Sequence, residues 1–290
     1  MKVARSPAEL ERQDRAVAIG AFDGLHLGHR RVLGTAVGSG VTPTVITFEP
    51  HPRLVLGYEV ELLTTLERKL ELLAELGVEE TLVLEFTHEL QQQEPEDFAE
   101  RVLEPIGARL VVAGEDFRFG HRRRGDLDLL RRLGFDARAV PPVEGISSTT
   151  IRRLLHEREV GRAATMLGRP HEVEGTVVTG DERGGTLGFP TANLAVPAHL
   201  LVPAFGIYAG FARGQRAAVS IGTNPHYGGQ ERRVEAFLLD FEGDLYGQRL
   251  VVELWQRLRE ERAFETEQAL IQQIALDVEA TRAAVRPGPR

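Results

Sequence analysis

Apolar positions in the first half of the chain alternate between two periodicities. Short runs read as strands: Ala16-Val17-Ala18-Ile19, Val45-Ile46-Thr47-Phe48, Thr81-Leu82-Val83-Leu84, Leu110-Val111-Val112-Ala113 and Ala137-Arg138-Ala139-Val140. Their near-continuous apolar character suits strands covered on both faces. Between them lie helical patterns. The clearest puts Leu66, Leu70, Leu73 and Leu76 on one stripe, with Thr64 and Glu67 spaced as a capping box and Gly77 as the stop. Pro95 opens a further predicted helix, and Asp126 to Leu133 reads as another. Strand and helix in turn over residues 15 to 167 predict an α/β unit, a doubly wound parallel sheet of Rossmann-like type. Ligands of such sheets sit beyond the carboxyl ends of the strands.

After Leu167-Gly168-Arg169-Pro170 the pattern changes. Extended runs at Glu172 to Val178, Phe205 to Ala212, Ala217 to Ile221, Val234 to Leu239 and Arg249 to Leu258 follow one another without helices, separated by Gly, Pro and Asn. That spacing predicts an antiparallel barrel or sandwich. A last helix, about residues 265 to 282, carries Leu270, Ile274 and Val278 at spacing four and is expected to pack on it. The switch divides the chain into residues 1–168 and 169–290.

Composition narrows the class. A chain of 290 residues with 42% hydrophobic and 27% charged content is that of a globular protein, and no apolar run approaches a membrane span. The polar residues after Met1-Lys2-Val3-Ala4-Arg5 lack an apolar signal core, so the expected location is the cytoplasm. With no cysteine, disulfides, thiolate metal sites and cysteine nucleophiles are excluded, and any metal is held by oxygen or histidine. The net charge of −8 argues against nucleic-acid and anionic-membrane partners. Lys2 and Lys69 are the only lysines among 35 basic residues, and neither follows a glycine-rich turn, so a Walker P-loop is excluded. Oligomeric state leaves no signal in the sequence.

Three stretches carry candidate chemistry. The first, Gly20-Ala21-Phe22-Asp23-Gly24-Leu25-His26-Leu27-Gly28-His29, joins the first predicted strand to a helix. Gly20, Phe22 and Gly24 line a turn where backbone can approach a phosphate, and His26 and His29 can donate hydrogen bonds to it. The alternative is a tight turn with two solvated histidines. The second, Ile146-Ser147-Ser148-Thr149-Thr150-Ile151-Arg152, starts a helix. Ser147, Ser148, Thr149 and Arg152 there form either a second phosphate cradle or an ordinary N-cap. The third runs from Gly180 through Gly184 and Gly188 to Pro190-Thr191-Ala192-Asn193. It sets a glycine-rich flap before an extended segment on which Thr191 and Asn193 face one side, able to address one ligand or Mg²⁺. The alternative is a glycine-rich hairpin with a satisfied Thr-Asn pair.

The first two stretches together resemble the nucleotidyltransferase superfamily, and the third resembles the signature of riboflavin kinase. Gly206-Ile207-Tyr208-Ala209, Ile221-Gly222-Thr223-Asn224-Pro225, Val234-Glu235-Ala236-Phe237-Leu238-Leu239, Tyr246-Gly247 and Leu258-Arg259 with Phe264 follow in the same order. Thr47-Phe48-Glu49-Pro50-His51-Pro52 and the loop Gly114 to Gly120 also match. Over essentially its whole length the chain resembles the bacterial bifunctional riboflavin kinases and FAD synthetases. The resemblance implies a fold of nucleotidyltransferase sheet plus riboflavin-kinase barrel. It implies ATP-dependent phosphorylation of riboflavin to FMN, then adenylation of FMN to FAD with release of pyrophosphate. By the same resemblance His26 and His29 stabilise charge on the ATP α-phosphate, and the Ser147 to Arg152 segment holds the β and γ phosphates. Thr191 and Asn193 bind Mg²⁺ and ATP phosphate, and Glu235 is the base for the ribityl hydroxyl. Asp116, Arg259 and Phe264 are carried over as flavin-binding positions. Gly185 and His226 depart from the family pattern in the flap and flavin pocket, and His51 is expected to be structural. Two rivals stand beside this reading. An adenylyltransferase of the coenzyme A pathway leaves the Pro-Thr-Ala-Asn half unexplained, and a flavin-binding regulator without catalysis has no need of the intact chemical residues.

Overall fold

The computed structural model describes residues 1–180, 189–223 and 232–288. It divides into two compact units, one of residues 1–60 and 64–147, the other of 61–63 and 148–290.

The first unit is a six-stranded sheet of order β1-β4-β3-β2-β5-β6, built from β1 (Lys2–Ala4), β2 (Arg15–Ile19), β3 (Thr42–Glu49), β4 (Glu80–Glu85), β5 (Ala108–Gly114) and β6 (Asp136–Val140). Every pairing is parallel. All five residues of β2 are buried because both faces are covered. Val17 and Ile19 join the cluster of Phe98, Leu127 and Leu130, whereas Ala16 and Ala18 join that of Leu33, Leu72 and Leu73. Helices α1 (Leu27–Val37) and α3 (Leu66–Glu75) therefore cover one face, and α5 (Pro95–Phe98) and α6 (Leu127–Arg132) the other. Short helices α2 (Pro52–Val55) and α4 (His88–Gln92) lie in connections. The sheet reverses its order around β2, so the loops after β2 and β5 emerge side by side at the carboxyl edge, the position where such sheets bind ligands.

Within α3 the sequence pattern needs correction. Thr65, not Thr64, is the cap, its hydroxyl accepting from Arg68 N at 3.1 Å. The residues fully buried on α3 are Lys69, Leu72 and Leu73.

The second unit is a closed barrel of order β10-β11-β8-β7-β12-β9. Its strands are β7 (His171–Val178), β8 (Ala192–Ala195), β9 (Gly206–Ala212), β10 (Gln215–Thr223), β11 (Arg232–Leu238) and β12 (Arg249–Arg259), all paired antiparallel. The barrel, not the sandwich, is realised, and closure leaves no sheet edge exposed. Helices α7 (Ser148–His156) and α8 (Val160–Leu167) belong to this unit. Their Ile151, Leu154, Leu155, Val160, Ala163 and Leu167 share a core with barrel residues such as Val173, Val219 and Leu254. Leu62 adds a short parallel bridge to Leu200, with Leu62 N donating to His199 O at 2.6 Å and Leu201 N to Leu62 O at 2.8 Å. The C-terminal helix (Glu267–Ala283) packs beside β9 and β10. Its most buried positions are Asp277 and Thr281, while Leu270, Ile274 and Val278 are only partly covered. Among the described residues, no helix is long and apolar enough to cross a membrane.

Candidate active sites

In the α/β unit the loop after β2 is held in a strained form. Phe22, Gly24 and Leu25 all have positive φ, at 50°, 82° and 45°, and two of the three lack the glycine that such a conformation favours. The surrounding bonds over-determine it. Gly20 N donates to Ile46 O at 3.1 Å, and Thr47 Oγ1 to Ala21 O at 3.2 Å, fixing the loop to the end of β3. Gly24 N donates to Thr64 Oγ1 at 3.3 Å, and Thr64 N donates to the buried Asp23 carboxylate at 3.3 Å. This reciprocal pair takes Thr64 out of the helix cap and stitches the loop to the start of α3.

The two histidines form one object. His26 is the N-cap of α1, its Nδ1 accepting from His29 N at 3.3 Å. The rings stack with centroids 3.6 Å apart and planes 17° apart, and Phe22 closes edge-on against His29 at 5.4 Å. Gly28 lies close against the His26 ring, which an added β-carbon would crowd at 3.1 Å. His29 Nδ1 is sealed from solvent and, among the described residues, has no hydrogen-bond partner. Desolvation first, then the charges of His26 and Lys69, hold the His29 imidazole well below its ordinary pKa of 6.5. A neutral imidazole at physiological pH is the result, poised to donate one hydrogen bond to an incoming anion.

The loop after β5 holds Asp116, which is exposed and lies against Gly114, where a β-carbon would come within 3.0 Å of its carboxylate. Phe117 and Phe119 stack at 5.4 Å nearby. His51 is structural as expected: it is buried and caps α2, its Nδ1 accepting from Arg53 N at 3.2 Å.

In the barrel unit, Ser148 opens α7, Thr149 is exposed, and Arg152 is oriented by donating from Nε to Glu61 O at 2.6 Å. Ser147 lies in the α/β unit. Strand pairing then assembles the second candidate site. β8 and β11 set Asn193 opposite Glu235. Arg233 and Glu235, two apart, share the face of β11 away from the buried Val234 and Ala236. Arg233 Nε lies 2.7 Å from Glu235 Oε1 and donates to Asn193 Oδ1 at 2.9 Å, and Thr191 Oγ1 is 3.5 Å from Glu235 Oε2. Glu235 is thus a partly buried carboxylate within a network, not a solvated strand residue. Gly180 lies against the Asn193 amide and Gly222 against the Glu261 carboxylate, so a β-carbon at either would force that side chain to shift. A pocket beside Thr191 is lined by Val177, Pro190, Ala192, Phe241 and Tyr246.

Arg259 has a partner on the C-terminal helix and another in Phe264. It grips Asp277 with Nε at 2.9 Å and a second nitrogen at 2.7 Å, and its guanidinium stands 5.8 Å from the Phe264 ring. Gly184, Gly185, Gly188 and His226 lie outside the described residues. Among the described residues, no cluster of three His, Asp or Glu side chains forms a metal centre, so a cation in the barrel would depend on hydroxyl, amide and phosphate oxygens. Arg233, held between Asn193 and Glu235, and Lys69, whose charge reaches His29, are neighbours of the candidate sites that sequence reading missed. The only signal for Arg233 was its two-residue spacing from Glu235.

Comparison with known proteins joins the two halves. A family model described as FAD synthetase matches residues 8–152, and one described as riboflavin kinase matches residues 167–285. A relative in Listeria monocytogenes named bifunctional riboflavin kinase/FMN adenylyltransferase is 36% identical, covering 93% of this chain and 92% of its own. Relatives of the same name in Bacillus subtilis and Escherichia coli are each 34% identical, with coverage of 93% and 93%, and of 90% and 90%. A solved structure described as a macrolide-efflux protein from Streptococcus pneumoniae superposes with TM-score 0.85 at 30% identity, covering 97% of this chain and 98% of its own. What that superposition carries is the shared fold.

Proposed function

This chain belongs to the bifunctional riboflavin kinase/FMN adenylyltransferase family, and from that premise we propose how its residues divide the two reactions. It phosphorylates riboflavin to FMN and adenylates FMN to FAD, using ATP in both steps. The kinase reaction belongs to residues 169–290 and the adenylyl transfer to residues 1–168.

In the kinase reaction the ribityl hydroxyl oxygen attacks the γ-phosphorus of ATP, its proton passes to a Glu235 oxygen, and ADP leaves. The Arg233 ion pair aims that carboxylate, and base catalysis of this kind is worth about 10²- to 10⁴-fold. Thr191 and Asn193 would supply the hard oxygen donors that suit Mg²⁺, Asn193 through the Oδ1 that accepts from Arg233. Bound Mg²⁺ supplies charge neutralisation on the ATP phosphates. Gly180, Gly184, Gly188 and Pro190 are assigned to the ATP phosphates, and the pocket of Val177, Phe241 and Tyr246 seats an adenine ring.

In the adenylyl transfer an FMN phosphate oxygen attacks the α-phosphorus, and the bond to pyrophosphate breaks. His26 and His29 donate to the charge growing there, with Gly20, Phe22 and Gly24 giving the backbone its close approach. Ser147, Ser148, Thr149 and Arg152 hold the β and γ phosphates. Asp116 serves FMN in this unit, and Arg259 with Phe264 serves riboflavin in the barrel. The setting is the cytoplasm, where ATP is at hand, with neither nucleic acid nor membrane as a partner.

The single observation that carries the reading is the conjunction of a stacked His26–His29 pair in one unit with the Thr191–Asn193–Glu235 network in the other. Isotopic labelling tests it. Label in the γ-phosphate of ATP should enter both FMN and FAD, whereas label in the α-phosphate should enter FAD alone. Label from the α-phosphate in FMN would overturn the assignment of the two reactions.

A further inference from the structure

Lys69 is an anomaly in a chain that otherwise uses arginine. It is one of two lysines, and the other, Lys2, is exposed in the short strand β1. Lys69 sits one turn into α3 and is only 3% exposed, a position that normally goes to an apolar residue because a buried cation must be compensated. The compensation is incomplete. Asp23 and Glu49 are near enough for their charges to favour the ammonium, and among the described residues no hydrogen bond or ion pair of the Lys69 side chain is seen. Burial outweighs them and lowers the Lys69 pKa from its ordinary 10.5.

Its surroundings say what the charge is for. The reciprocal Thr64 bonds to Asp23 and Gly24 hold the start of α3 against the histidine loop. Lys69 follows directly, its N–H bonded to Thr65 O at 3.0 Å. From there its charge is felt by His29, whose Nδ1 is itself unpartnered. A buried ammonium whose charge reaches His29, and a His29 ring nitrogen without a partner, are the kind of groups that an anion accepts from.

We propose that Lys69 is a substrate-contacting residue of adenylyl transfer, its ammonium pairing with a phosphate oxygen of the bound nucleoside triphosphate beside His29. The inference rests on the reading of the His26–His29 loop as the adenylyl-transfer site. Anion binding would complete the pairing that the folded chain leaves open, and the desolvated setting would make it stronger than a surface contact.

The test replaces Lys69 by Met, similar in length and uncharged, in the full chain, and measures FMN adenylation over a range of ATP and FMN concentrations. The expected result is a fall of about 10²-fold in kcat/KM for ATP, with KM for FMN and riboflavin phosphorylation within twofold of the parent. Inhibition by added inorganic pyrophosphate should weaken in parallel. Lys69→Gln gives the same reading should Met be poorly accommodated. If Lys69→Met keeps parental kcat/KM for ATP while His29→Ala is impaired, the inference falls and the site reading stands. If His29→Ala also adenylates FMN normally, the site reading itself falls. A variant that loses both activities together with its thermal transition would show a structural lysine and overturn the proposal.

Discussion

Arg233 Nε lies 2.7 Å from Glu235 Oε1. The same nitrogen bonds Asn193 Oδ1 at 2.9 Å, so one guanidinium holds the Glu235 carboxylate and an amide oxygen in a common frame. Glu235→Gln keeps the shape and removes the proton acceptor. FMN formation from riboflavin should fall by about 10²-fold or more, with riboflavin binding retained and supplied FMN still converted to FAD. Steady-state assays of each step with purified variant protein check this, and normal riboflavin phosphorylation would rule Glu235 out as the base.

The histidine pair predicts two separable losses. His26→Ala and His29→Ala should each lower FAD formation by about 10²- to 10³-fold, the loss expected for one preorganised donor. His26 also caps α1, so its alanine variant should lose about 1 kcal/mol of stability as well. Asn at position 26 restores the cap and a neutral donor. Denaturant titration beside adenylation assays separates the two effects.

Much of this was legible beforehand. The five long strands of the α/β unit announced themselves because burial on both faces leaves continuous apolar runs. The strands that escaped notice, β1 (Lys2–Ala4) and β8 (Ala192–Ala195), have three and four residues, too short for periodicity to register. The cap of α3 falls at Thr65 although the Thr64–Glu67 spacing favours Thr64 locally, because a tertiary bond from Gly24 takes the Thr64 hydroxyl. Lys69 was invisible as a site residue since a charged residue in a helical pattern reads as solvent-facing. The C-terminal helix buries Asp277 because Arg259 reaches it, a long-range pairing that no local pattern encodes.

The core shared by α7, α8 and the barrel makes a prediction about fragments. A piece beginning at Leu167 discards Ile151, Leu154, Leu155, Val160 and Ala163 from that core. A piece beginning near Ser148 keeps them. Both should convert riboflavin to FMN and form no FAD, but the longer should be more stable, since losing each large buried aliphatic typically costs about 2 kcal/mol or more. Thermal unfolding of the two fragments tests the ranking, and FAD from either would refute the division of labour.

His171 gives a pH signature. It is 1% exposed, its Nε2 lies 3.2 Å from Leu201 O, and burial lowers its pKa from 6.5 to about 4. Below pH 6.5 the unfolded chain takes up a proton that the folded barrel refuses, so the stability present above that pH is lost as pH falls toward about 4. The loss attributable to this group approaches roughly 3 kcal/mol at the low end. Unfolding midpoints between pH 7 and pH 4.5 should fall less steeply in His171→Gln than in the parent, and equal slopes would contradict the assignment.

The central claim is that one chain performs two successive ATP-dependent reactions on a flavin. Incubation of the intact protein with riboflavin, ATP and Mg²⁺, with flavins separated chromatographically over time, tests it most directly. The account predicts that riboflavin declines, FMN rises and then falls, and FAD accumulates with one pyrophosphate released per FAD. Riboflavin left unphosphorylated, or FMN that accumulates without conversion to FAD, would contradict it.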